Sequence, residues 1–182
     1  RPDGNATYAS SSGTSHAPPA ISGGAALAWW WSANGKGALS FDGGSASDPT
    51  PALMKAYLIS HPTYLTGVSG NGNLPTNSQG YGMPNMQTLF DETPTFLANQ
   101  TRVLGATGET WTWVGSAVDP TKPVRIALAW TDAAGAIGTS PQVNNLDLKV
   151  EYGASTYLGN VCTGQWGSTG GTADIRNNYE AV

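Results

Sequence analysis

Apolar and polar positions along this chain change their period near residue 91. Before that point apolar residues come in blocks at helical spacing, and after it they alternate singly with polar ones. The first block follows a tight Gly13-Thr14-Ser15 turn and is built mostly of Ala, Gly, Leu and Ile, closing on Trp29, Trp30 and Trp31. Pro18 and Pro19 fall in its first turn, where proline removes no needed hydrogen bond. The pattern predicts a helix opened by Ser15, running to about Ser32 and stopping near Asn34-Gly35. Ser22, Gly23, Gly24, Ala25 and Ala26 are a costly choice in an exposed helix, so this one is expected to be central and buried. Gly35 to Ser47 reads as a polar loop. Thr50 then caps a second helix, with Pro51 at its first position, Ala52 to Ser60 apolar nearly all round, and His61-Pro62 ending it. A Gly/Asn-rich link leads to a short helix on which Met86, Leu89 and Phe90 share a face.

Beyond Phe90-Asp91 no stretch of helical period remains. Trp111-Thr112-Trp113-Val114, Val124 to Trp130 and Leu146 to Val150 alternate at period two, separated by turn clusters such as Asp119 to Pro123 and Gly153-Ala154-Ser155. This predicts an all-β antiparallel sandwich or jelly roll over 92–182, following a separate unit over 1–91.

Composition narrows the partners. Charged residues make up 11% of the 182-residue chain, Gly is abundant, and the net charge is −4 with no basic run. Nucleic acid and anionic membranes are therefore poor partners, and no apolar stretch is long enough to span a bilayer. The single Cys162 rules out an internal disulfide framework and reads as a small buried apolar residue.

Ser15 is the candidate nucleophile. A serine at a helix N-terminus lies beside unpaired N–H groups and the positive end of the helix dipole, which suits attack that generates an oxyanion. The same placement suits an ordinary N-cap. Gly13-Thr14-Ser15-His16-Ala17-Pro18-Pro19 resembles the nucleophile motif of subtilisin-like serine peptidases, Gly-Thr-Ser-x-Ala-x-Pro followed by a small-residue helix. Arg1-Pro2-Asp3 is similar to the segment that leads to that serine, with a shorter connection here. Gln79-Gly80-Tyr81-Gly82 before a short helix resembles the close of the family's catalytic domain. Ala129 to Asp132, Val143 to Leu148, Tyr157 to Asn160 and Asp174 to Glu180 resemble the C-terminal β domain of one bacterial branch.

The resemblance implies an α/β fold over 1–91, the C-terminal portion of a subtilisin-like catalytic domain, followed by the β-sandwich, whose last strand is expected to lie beyond Val182. It implies a secreted serine endopeptidase that acts on polypeptide substrates through an acyl-enzyme on Ser15, with the Ser15 N–H as half of the oxyanion hole. The family's triad Asp and His, and its asparagine oxyanion donor, precede this stretch. They are expected from an upstream segment or separate chain, and the chain alone is expected to be inactive. His16 adjoins Ser15 and cannot easily face it as a base. His61, at a helix end, reads as a dipole partner.

Asp132, Asp147, Asp174 and Glu180, among several asparagines, could serve as hard oxygen ligands for a structural calcium ion, or as Asx-turn hydrogen-bonding groups. No cofactor is expected for catalysis. Asn5-Ala6-Thr7 and Asn99-Gln100-Thr101 fit the glycosylation sequon and carry no meaning in a bacterial protein. The rival reading is a non-catalytic binding or structural module acting through its β domain. Exposed rings at Trp111, Trp113 and Trp166 would favour it, and buried ones would count against it.

Overall fold

The computed structural model describes residues 10–35, 39–42, 48–100, 102–139 and 142–182. Arg1-Pro2-Asp3, the sequon at Asn5 and most of the loop after Gly35 lie outside the described residues, as does Thr101 of the second sequon. The chain is a mixed α/β structure with small sheets.

Helix α1 spans Ala17–Ala33 and α2 spans Pro51–Ser60. The Thr50 hydroxyl accepts from the Leu53 N–H at 3.2 Å, the N-cap bond that the Thr-Pro pair predicts. It also donates to Asn99 Oδ1 at 2.7 Å, so one side chain starts α2 and ties it to a distant loop. The third helix, α3, is the single turn Met86–Leu89, capped by Asn85, whose side chain accepts from the N–H groups of Gln87 and Thr88. These three helices meet in a core of Ala28, Leu53, Tyr57, Leu89 and Leu97, with Met54, Leu58, Met86 and Phe90 packed against it. Inside it the Tyr57 hydroxyl donates to the Leu89 carbonyl at 2.6 Å.

The burial of α1 differs from expectation. Only Gly24, Ala28 and Ser32 are buried, one stripe at i, i+4, i+8, while Ile21, Leu27, Trp29 and Trp30 are exposed. A Cβ at Gly24 would stand 2.9 Å from the Met86 methyl, which accounts for that glycine by close approach of α3. At Gly23 a Cβ would meet nothing within 4 Å. The helix is covered on one side among the described residues, not all round.

Strand β1 (Leu39–Phe41) pairs in parallel with β4 (Thr95–Leu97), and β2 (Pro62–Thr63) pairs antiparallel with β3 (Met83–Pro84). Further along, β5 (Ala127–Ala129) pairs antiparallel with β9 (Tyr179–Ala181). The largest described sheet is the meander of β6 (Lys149–Tyr152), β7 (Ser155–Thr163) and β8 (Trp166–Thr169). Of the alternating stretches, Val124–Trp130 contains β5 and Leu146–Val150 overlaps β6, but Trp111–Val114 is not a strand. That segment lies exposed, with the Trp113 ring stacked on Phe96 at 4.3 Å between centroids. Among the described residues its alternation finds no partner strand, and a lone strand leaves its ladder groups unpaired.

Contacts link early and late residues. Arg125 Nη1 donates to the Pro62 carbonyl at 3.1 Å. At the β7–β8 turn, the Gly164 N–H donates to Asn73 Oδ1 at 2.8 Å and its carbonyl accepts from the Leu74 N–H at 2.9 Å. Tyr81, from the Gln-Gly-Tyr-Gly turn, donates its hydroxyl to Asn160 Oδ1.

Candidate functional site

The turn before α1 is built on the Gly13 carbonyl, which accepts from the N–H groups of His16 at 3.0 Å and Ala17 at 3.3 Å. Gly13 has a φ of +141°, a conformation that a side chain would strain. Ser15 sits on this turn, two residues ahead of the first helical residue, with His16 at the N-cap position. His16 has helical dihedrals and makes no side-chain cap bond, so α1 is started by the turn and its prolines rather than by a serine hydroxyl. Ser15 is exposed. An open, mainly apolar groove of about 500 Å³ follows the start of α1 past Thr14, Ala17, Pro18, Ile21 and Ser22.

Neither histidine is placed as a base for Ser15. His16 Nε2 lies 2.9 Å from Ser11 Oγ, on the far side of the turn in sequence. His61 caps α2, its Nδ1 2.7 Å from Ser60 Oγ and 3.1 Å from the Tyr57 carbonyl. Burial pushes its pKa down and Arg125 adds to that, against the opposing pull of the Tyr57 carbonyl and Asp91. It is a helix-end imidazole edge-on to the Tyr57 ring, 5.0 Å between centroids.

The acidic candidates divide by what they hold. Asp132 accepts from the backbone N–H groups of Ala133, Val143 and Asn144 and from Asn144 Nδ2, at 2.7 to 3.1 Å. These donors, Val143 first, lower its pKa. Asp174 accepts from the N–H groups of Arg176 and Asn177 and from Asn160 and Asn177 Nδ2. Those bonds outweigh burial and lower its pKa. Asp147 accepts from Asn145 Nδ2 at 3.0 Å.

Glu180 is different in kind. It is 1% exposed, Oε2 accepts from the Leu148 N–H at 2.6 Å, and Oε1 is buried without a hydrogen-bond partner among the described residues. Its side chain occupies the space a Cβ at Gly159 would need. Burial, reinforced by Asp147 and Asp174, pushes its pKa up to about 7 against the pull of the Leu148 N–H. Among the described residues, no three His, Cys, Asp or Glu side chains come together as a metal-holding group.

The rings of Trp111, Trp113 and Trp166 are exposed by 42%, 56% and 51%. Cys162 is half-buried, and burial raises its pKa. No helix of the described residues is long and apolar enough to cross a membrane.

Sequence reasoning missed a second concave site. A cleft of about 470 Å³ lies between the first turn of α2 and the loops that carry Trp130, Asp132 and Arg176. Its one early signal was Lys55, the sole charge within an otherwise apolar helix. The loops that complete the cleft come from more than 70 positions away, which no local pattern reports.

Compared with known proteins, the chain matches no family model, no curated protein and no solved structure.

Proposed function

We infer that this chain is the nucleophile-bearing part of a secreted subtilisin-like serine endopeptidase. Ser15 is the residue acylated by the polypeptide substrate, and an upstream segment or separate chain supplies the Asp and His. In this reading residues 1–91 are the C-terminal portion of the α/β catalytic domain. Residues 92–182 form a jelly-roll-like sandwich, a reading supported by the antiparallel pairing of β5 with β9 and of β6, β7 and β8. Asp132, Asp147, Asp174 and Glu180 remain the residues to test for calcium.

The observation that carries the reading is the exposure of Ser15 on a glycine-built turn at the mouth of a helix, beside an open groove. Such a hydroxyl can reach a scissile carbonyl, and the start of α1 puts partial positive charge near the developing oxyanion. His16 is held towards Ser11, so the proton of the Ser15 hydroxyl is left in this reading to the His of the upstream segment or separate chain. The test is fluorophosphonate labelling, with and without a segment carrying the Asp and His. Labelling of Ser15 only in the combined sample is expected. Labelling by this chain alone would overturn the claim of inactivity, and no labelling in either sample would end the peptidase reading.

A second reading has its own support. The exposed rings of Trp111, Trp113 and Trp166 favour a non-catalytic binding module. Replacing all three by Ala would abolish retention on a surface, glycan or protein that the module binds, whereas a peptidase fragment would lose no labelling.

A further inference from the structure

The cleft at the start of α2 is lined by groups that favour one kind of ligand. Lys55 and Arg176 both line it, and among the described residues neither is in an ion pair. The Lys55 ammonium is held 3.1 Å from Asn178 Oδ1 and 3.8 Å from the centre of the Tyr179 ring. A lysine has three N–H donors, so this placement fixes the charge without satisfying it. Burial without a carboxylate partner lowers its pKa, the mark of a cation that an incoming negative charge would stabilise.

The first turn of α2 adds to the same field. Pro51 has no N–H, and Leu53 and Met54 direct theirs to Thr50, which leaves the Ala52 N–H, among the described residues, as the open donor of the turn in a residue that lines the cleft. The neighbouring amides are already engaged. Gln142 Nε2 donates to Asn145 Oδ1 and the Asn177 carbonyl, and Asn178 Nδ2 donates to the Trp130 carbonyl. Asp132, the one carboxylate among the described lining residues, keeps its charge, with both of its oxygens engaged by N–H donors. Trp130, with its indole N–H donated to the Asn144 carbonyl at 3.0 Å, offers a fixed ring. Pro51 and Ala52 supply further apolar wall.

We propose that this cleft binds an organic carboxylate, its charge between Lys55, Arg176 and the Ala52 N–H and its apolar group against Trp130. The cleft volume of about 470 Å³ admits a small acid or an acidic side chain. The site is separate from Ser15 and does not depend on the peptidase reading.

The test uses the full chain and sodium benzoate as probe, followed by NMR at fixed ionic strength, with neutral benzyl alcohol and inorganic phosphate as comparators. Saturable shifts are expected at the Ala52 amide, the Trp130 indole and the Arg176 side chain, with benzyl alcohol and phosphate each at least about tenfold weaker than benzoate. Lys55→Met and Arg176→Gln should each weaken benzoate by about fivefold or more. Arg176 is exposed, so its variant keeps the test decisive even if the Lys55 variant misfolds. Equal binding of benzyl alcohol would reduce the site to an apolar surface and overturn the proposal, and equal binding of phosphate would overturn the assignment to an organic acid. Unsaturable shifts, or an Arg176→Gln variant that binds like the parent, would also overturn it.

Discussion

Glu180 shows how much one side chain can be asked to hold. Its carboxyl is buried with one oxygen unpartnered, and its pKa is raised to about 7 from an ordinary value of 4.5. Between those two values the folded chain keeps a proton that the unfolded chain has released. Stability therefore falls as pH rises from about 4.5 to 7 and is level above, a loss on the order of 2 kcal/mol. Urea unfolding at pH 5 and pH 8 should show this slope in the parent and lose most of it in Glu180→Gln. At Ser15 the expectation is the reverse, chemistry without stability. Ser15 is exposed, so Ser15→Ala should leave the unfolding free energy unchanged within about 0.5 kcal/mol while removing all fluorophosphonate labelling of the combined parts.

At the scale of elements, α2 is held at both ends by side chains whose roles differ. Thr50→Ala removes the N-cap and the bond to Asn99 together, and a loss of about 1–2 kcal/mol in chemical denaturation is expected. Tyr57→Phe removes the hydroxyl that joins α2 to the end of α3, leaving the Leu89 carbonyl without its donor, a loss of similar size. These elements were legible in the sequence because their signals are local. Thr50-Pro51 announces a helix start, and Met86, Leu89 and Phe90 fall on one face because helical geometry spaces them so. The strands were less legible. Trp111–Val114 alternates well and finds no partner strand among the described residues, whereas β7 is half-buried along most of its length on both faces and so carries little period-two signal. Strand pairing is decided by residues far away in sequence, as the parallel match of β1 with β4 illustrates. The composition of α1 announced close packing, and one face of it does pack closely. Small residues record that a backbone approaches, without recording on how many sides. The cleft around Lys55 and Arg176 was illegible for the same reason as the strands.

For the molecule as a whole, one side of α1 is left uncovered by the described residues. Leu27 and Trp30 are more than half exposed on a helix without a single charged residue. Exposed apolar patches of this kind bind amphiphilic dyes. The chain should enhance ANS fluorescence, and Leu27→Lys should reduce that enhancement by roughly half or more while far-UV circular dichroism stays unchanged. Retained fluorescence in that variant would place the dye elsewhere. The β7–β8 turn lies at the opposite extreme. A hairpin tip ordinarily surrenders its amide proton to solvent within moments, because nothing but water holds it. Gly164 is gripped from both sides by Asn73 and Leu74, so its proton should exchange with deuterium only when the loop around residue 73 lets go. That single amide thus becomes a clock for the separation of the early and late parts of the chain.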